Sequence, residues 1–380
     1  MSLLRLLFIG SVILLSACER PVAKQTAEPP TAYGTLTAKG NTDDRPKNII
    51  LMIGDGMGIT QISAGMYSNG NKLHLERFPI VGLHKSYSSD NLVTDSAAGA
   101  TAFSTGTKTY NGAIAVDPQF KPLTTILEEA ESKGLPTGLV ATSTITHATP
   151  ASFVAHEKYR KSYEAIAADF MDVEVDFFVG GGKEHFDKRK DDRNLLQELR
   201  SKGYFVADYF SQELSELRPD PTKNFAYLTA SNDPLPVAQG REYLPLASEM
   251  ACRFLDKRDR EDRGFFLMIE GSQIDWGGHA NKSDYIISEM LDFDEAVGKV
   301  LDFAARDGET LVIVTADHET GGYAINPGSK MDSIVGAFTS DYHTADLIPV
   351  FAYGPGAAAF SGIYENTAIY DKMRMAYGWR

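Results

Sequence analysis

Several apolar runs in this chain end on residues that can bind a cation. Ile49-Ile50-Leu51-Met52-Ile53 leads into Gly54-Asp55-Gly56, Phe265 to Ile269 leads into Glu270, and Leu311 to Thr315 leads into Ala316-Asp317-His318. Asp275 and His279 stand one helical turn apart, and His343 adds another imidazole. Mixed carboxylate and imidazole donors suit Zn²⁺, whereas carboxylate and hydroxyl oxygens suit Mg²⁺. One Asp after a strand reads equally well as a turn residue, but several such ends together read as a site. His74, His84, His156 and His185 have no carboxylate partner in a recognisable pattern and read as structural or exposed.

A second kind of chemistry sits at Thr94-Asp95-Ser96-Ala97-Ala98. Asp95 can cap a helix that begins at Ser96, which places the hydroxyl at the positive end of the helix, where a phosphoryl group is stabilised. On these residues alone a plain helix start is an equally good reading. No general-base histidine accompanies Ser96, so a nucleophilic role would require a metal to lower its pKa.

These residues must be brought together by the elements that carry them. Strands are expected at Asn48–Ile53, Pro136–Thr142, Val175–Val179, Gly264–Ile269, Thr310–Thr315 and Ile348–Tyr353, and helices at Thr124–Lys133 and within Ser283–Arg306. In the second helix Ile287, Met290, Leu291, Val297, Leu301 and Phe303 form the apolar face, and Asp307-Gly308 ends it. Short β-branched runs between amphipathic helices predict an α/β fold of three layers, a central mostly parallel β-sheet with helices on both faces. In such sheets ligands bind at the carboxyl ends of the strands, where these carboxylates lie.

With 43% hydrophobic and 23% charged residues among 380, the chain is an ordinary globular protein apart from its N-terminus. Arg5, the apolar run Leu6–Leu15 and Ser16-Ala17-Cys18 have the order of an export signal, and Leu15-Ser16-Ala17-Cys18 resembles a bacterial lipobox. The expected division is therefore a lipoprotein-type signal peptide at 1–18, a flexible tether at 19–47 rich in Pro, Thr and charge, and one catalytic domain at 48–380. The product would be a periplasmic lipoprotein, meeting the membrane only through lipid on Cys18, with Cys252 buried and unpaired. A net charge of −14 without a basic cluster excludes a nucleic-acid surface. An acidic protein that binds an anion needs local positive potential, and metal ions supply it.

The motifs resemble the alkaline phosphatase family. Thr94-Asp95-Ser96-Ala97-Ala98 is similar to its nucleophile motif and Thr109-Tyr110-Asn111-Gly112 to the companion downstream, while Ala148-Thr149-Pro150-Ala151 through His156 to Arg160 resembles the stretch with a Mg²⁺-binding Thr and a phosphate-binding Arg. The remaining donors fall in the family's order over about Asn48 to Gly378. The resemblance implies two Zn²⁺ and one Mg²⁺ per subunit. Asp275, His279 and His343 would hold one zinc, and Asp55, Asp317 and His318 the other, with Ser96 its exchangeable ligand. Asp55, Thr149 and Glu270 would hold Mg²⁺, and Arg160 would grip the phosphate oxygens. It further implies hydrolysis of small phosphate monoesters through a phosphoserine on Ser96, in a homodimer.

The chain departs from some relatives at two places: His147 stands where a carboxylate can occur, and Trp276 where a basic residue can. His147 is expected to act on Mg²⁺ through a water, with Trp276 and Asp95 as further neighbours of the ligands. The stretch from His318 to His343 is too short for a large inserted domain, which implies an open rim and broad substrate tolerance. Two rival readings stand beside this one. A phosphodiesterase or sulfatase of the same superfamily would typically lack Arg160 and the Thr149/Glu270 pair, and a non-catalytic phosphate- or zinc-binding lipoprotein would have no use for Ser96.

Overall fold

A computed structural model of the chain describes Leu36 and residues 45–379, all within one compact unit. The expected signal segment, Cys18 and most of the stretch expected as a tether lie outside the described residues. The two described pieces of that stretch touch the body: Leu36 donates its amide to the Arg77 carbonyl (3.0 Å), and Lys47 donates to that of Glu309 (2.9 Å). Among the described residues no helix is long and apolar enough to cross a membrane.

Fourteen strands are present among the described residues, ten of them in one sheet. In chain order they are β1 (Asn48–Gly54), β2 (Ile80–Lys85), β3 (Thr137–Thr144), β4 (Phe177–Gly181), β5 (Phe205–Asp208), β6 (Phe225–Leu228), β7 (Phe266–Gly271), β8 (Thr310–Thr315), β9 (Glu319–Thr320), β10 (Ala324–Ile325), β11 (Gly336–Ala337), β12 (His343–Thr344), β13 (Leu347–Tyr353) and β14 (Gly362–Glu365). The large sheet runs β14-β2-β13-β8-β1-β7-β3-β4-β6-β5, and only β13 lies antiparallel to its neighbours. The two-stranded pairs β10–β11 and β9–β12 stand outside it.

The apolar run of β1 explains its central place. Ile50 and Met52 enter one hydrophobic cluster while Ile49, Leu51 and Ile53 enter the other, so helices cover both faces and the expected three layers form. The helix Ser283–Asp307 buries Ile286, Met290, Phe293, Val297 and Val300, a stripe of helical spacing. Ile287 and Leu291, expected on this apolar face, are only partly buried at the margin of the cluster. The helix ends as expected, with Gly308 in the left-handed conformation (φ 73°). The helix Ile126–Ser132 opens on a reciprocal cap in which Thr125 and Glu128 each bond the other's backbone. Cys252 is buried and free.

Candidate active site

The site grows from the carboxyl ends of the central strands. Asp55 follows β1, Glu270 lies at the end of β7, Asp317-His318 follows β8, and His147 and Thr149 follow β3. Because β7, β1 and β8 are adjacent and parallel, their ends meet although their sequence positions are far apart. Asp55, Thr149, Glu270, Asp317 and His318 are wholly buried.

Asp95 caps the helix Ser96–Thr105, accepting the amides of Ala98 (3.0 Å) and Gly112 (3.1 Å). Its other oxygen accepts from Arg160 Nη1 (2.9 Å). Burial pulls the Arg160 pKa down, but Asp95, with Asp55 and Asp275, outweighs it and keeps the guanidinium charged. Ser96 Oγ lies 3.4 Å from His318 Nε2, and the same nitrogen is 3.2 Å from Asp317 Oδ2 and 3.6 Å from Asp55 Oδ1. Serine, imidazole and two carboxylates therefore converge on one point.

A second convergence is built from the helix Gln273–His279 and β12. Asp275 Oδ2 is 3.4 Å from His279 Nε2, and Asp275 Oδ1 is 3.6 Å from His343 Nε2. The two imidazole Nε2 atoms are only 3.1 Å apart. Each ring directs Nδ1 at a backbone carbonyl, His279 at Asp341 (2.7 Å) and His343 at Thr94 (2.8 Å). A carbonyl accepts only, so Nδ1 carries a hydrogen and, in the neutral ring, Nε2 is the nitrogen left to bind a cation. Two imidazole nitrogens and a carboxylate facing one point are a group that could hold a cation.

A third group joins Asp55, His147 and Glu270, whose donor atoms lie within 4.8 Å of one another. Asp275 also comes within that reach of Asp55 and His318, so the two imidazole-rich positions adjoin. Both Asp55 oxygens, Glu270 Oε1, Asp317 Oδ2, His147 Nδ1 and Thr149 Oγ1 are buried without a hydrogen-bond partner. Burial, then repulsion from Asp317, raises the Asp55 pKa well above its usual range, and burial pushes Glu270 up to about 8. Burial likewise lowers His318 and takes His147 down to about 3, so both rings are neutral donors. Unpartnered, mutually repelling carboxylates beside neutral imidazoles fit multivalent cations.

Every sequence-predicted residue thus lies in this cluster or against it. Trp276 packs edge-on to His147, with ring centroids 6.2 Å apart, and a ring nitrogen of His147 lies within 4.8 Å of carboxylate oxygens of Asp55 and Glu270. Of the histidines set aside, His156 pairs with Glu128 (2.9 Å), His84 with the Ala316 carbonyl (2.8 Å) and His185 with Thr146 (2.7 Å). Sequence reasoning missed Thr320, whose hydroxyl bonds Asp275 and lies 3.2 Å from His318 Nδ1, and Tyr342, which stacks on His343 at 4.4 Å. Both adjoin a predicted ligand, a signal that could have found them. A cavity of about 580 Å³ lined by Tyr209, Tyr227 and Arg241 shares none of the site residues.

A mostly parallel α/β sheet with a serine, an arginine and clustered cation donors at its strand ends defines a phosphoryl-transfer hydrolase. The alkaline phosphatase family model matches residues 46–337. Alkaline phosphatase 3 of Bacillus subtilis is 41% identical over 336 residues, 85% of this chain and 70% of its own length. The structure of alkaline phosphatase from the Antarctic bacterium TAB5 superposes with a TM-score of 0.83 at 44% identity, covering 89% of this chain and 99% of that one. A variant of the TAB5 enzyme with a histidine changed to aspartate, solved with Mg bound in its M3 site, gives 0.81 at 43% over the same shares. The chain belongs to the alkaline phosphatase family and is a phosphomonoesterase, which sets aside a non-catalytic binding protein.

Proposed function

We propose that the enzyme hydrolyses phosphate monoesters through a phosphoserine on Ser96 at a site of two Zn²⁺ and one Mg²⁺. The observation that carries this reading is the convergence on His318 Nε2 of Ser96 and the carboxylates of Asp317 and Asp55, beside the paired His279 and His343 nitrogens. Asp275, His279 and His343 would hold one zinc, Asp55, Asp317 and His318 the other, and Asp55, Thr149 and Glu270 the magnesium. His147 is within reach of this last position. The Mg in the M3 site of the TAB5 variant supports a third position here. When bound, such dications favour the alkoxide of a coordinated serine, neutralise phosphate charge and stabilise the departing oxygen.

Ser96 Oγ attacks phosphorus, the ester P–O bond breaks, and the alcohol departs with a proton. Arg160, pinned by Asp95 through Nη1, offers its remaining N–H groups to the phosphoryl oxygens as a planar fork. Water then attacks phosphorus from the vacated side, releasing phosphate and restoring the serine hydroxyl. The same Arg160, Thr149 and Glu270 favour monoesters over the diesters or sulfates of related folds.

Ser96→Ala should lower kcat by about 10³-fold or more, as loss of a nucleophile does. Acid-quenched intact-mass analysis of the wild type should show one added phosphate. Its absence under single turnover, with inversion at phosphorus, would remove the serine pathway, and faster hydrolysis of bis- than mono-nitrophenyl phosphate would favour a diesterase. We further propose export as a periplasmic lipoprotein through Cys18, and a homodimer. Val81 and Ile363, exposed on the margin formed by β2 and β14, support an apolar contact between copies.

A further inference from the structure

We infer that Glu319 is a positioning residue, a carboxylate latch that fixes three metal-binding segments relative to one another. The inference rests on the reading of Asp55, His318 and His343 as metal ligands. Glu319 follows His318 directly and is 3% exposed, yet none of the proposed sites uses it. Its Oε1 accepts from Gln61 Nε2 (2.7 Å) and the Tyr323 amide (3.0 Å), and its Oε2 accepts from the Gly322 amide (3.1 Å) and the Thr344 hydroxyl.

The four donors come from three places. Thr344 is the β12 residue next to His343, and the β9–β12 pairing sets Thr344 against Glu319 and His343 against Thr320. Gly322 and Tyr323 belong to the turn after β9. Gln61 lies in the helix Ile59–Tyr67, which starts four residues past Asp55, and its amide also donates to the Thr320 carbonyl (2.9 Å). The loop between Asp55 and this helix closes on the same side chain: a Cβ on Gly58 would sit 2.5 Å from Glu319 Cγ. One buried carboxylate therefore ties β12, the residue after His318 and the loop after Asp55.

A buried carboxylate with four donors works only as an acceptor on both oxygens. Glu319→Gln keeps the shape but turns one oxygen into an NH₂ group. Either orientation then sets that group against a main-chain N–H, that of Tyr323 or that of Gly322, and the segments must part. Thr344→Val removes only the donor on β12 and so loosens only His343.

The test strips the full-length enzyme of metal, reloads it with Zn²⁺ alone and measures zinc release to a chromophoric chelator, with circular dichroism confirming the fold. A His279→Ala variant identifies which release phase belongs to the site of Asp275, His279 and His343. Glu319→Gln should weaken both zinc sites by about 10- to 100-fold, the range found when partners that orient metal ligands are lost. Thr344→Val should weaken the His343 site and leave the other unchanged. Unchanged zinc affinity in Glu319→Gln, or Thr344→Val moving both phases equally or neither, would overturn the latch. Wild-type enzyme that takes up no zinc would instead overturn the ligand assignment on which the latch stands.

Discussion

Arg160 commits one terminal nitrogen to Asp95 at 2.9 Å, so its charge is fixed in place before a substrate arrives. Arg160→Ala should therefore raise the inhibition constant for inorganic phosphate and lower kcat/KM by less than loss of a metal ligand does, because the cations carry most of the charge stabilisation. Arg160→Lys should restore little, since a lysine keeps the charge but loses the fork. Phosphate inhibition unchanged in Arg160→Ala would refute the assignment. His147 poses a different question. Its Nδ1 is buried without a hydrogen-bond partner, a ring nitrogen lies within 4.8 Å of Asp55 and Glu270 oxygens, and a nitrogen donor serves Mg²⁺ poorly. Enzyme reconstituted with Zn²⁺ alone should gain activity when Mg²⁺ is added, and His147→Asp, which supplies an oxygen and a negative charge, should shift that titration to lower Mg²⁺. A titration left where it was would show that His147 does not tune this position.

Elements, rather than ligands, decide whether these residues meet. The helix that starts at Ser96 lies against the segment after β8 so closely that a Cβ on Gly99 would stand 2.9 Å from Asp317 Cβ. Gly99→Ala should push the helix, and Ser96 with it, away from Asp317 and His318. The expected result is a fall in kcat of about 10-fold or more, since small misplacements of a reacting group are costly, while the fold persists by circular dichroism. Wild-type activity in Gly99→Ala would show that the contact has slack. Strands β1, β3, β4, β7, β8 and β13 were legible because their runs are apolar and bounded by turn residues. Strands β2, β5, β6 and β14 were missed: they lie toward the ends of the sheet, and Gly82 and His84 interrupt the pattern of β2. The candidate metal-ligand types were legible for a similar reason, since Asp317-His318 and the Asp275/His279 spacing announce their chemistry locally. Glu319 does not, because what it does depends on contacts such as that with Gln61, 258 residues away.

At the scale of the whole molecule, the site stores unfavourable electrostatics that metal relieves, and this sets how stability responds to pH. Without metal, burial raises the pKa of Asp55, Asp317 and Glu270, the last to about 8 against 4.5 for an ordinary glutamate. A carboxyl whose folded-state pKa is raised binds its proton more tightly when folded. Its contribution to stability is present at low pH and is lost as pH rises through the folded value. His147 and His318 have lowered pKa values, so they destabilise the fold only below their ordinary 6.5. From pH 6.5 to 8 the carboxyls therefore dominate, and the melting temperature of metal-stripped enzyme should fall across that interval. Loading with Zn²⁺ and Mg²⁺ should abolish the fall, because bound dications hold the same groups ionised and their binding expels the protons. Metal uptake near neutral pH should accordingly acidify an unbuffered solution, and its affinity should rise with pH. Differential scanning calorimetry of stripped and loaded enzyme at the two pH values decides the matter. A stripped enzyme that melts higher at pH 8 than at 6.5, or one that takes up metal without releasing protons, would show that these carboxyls are already ionised and paired by something other than the cations.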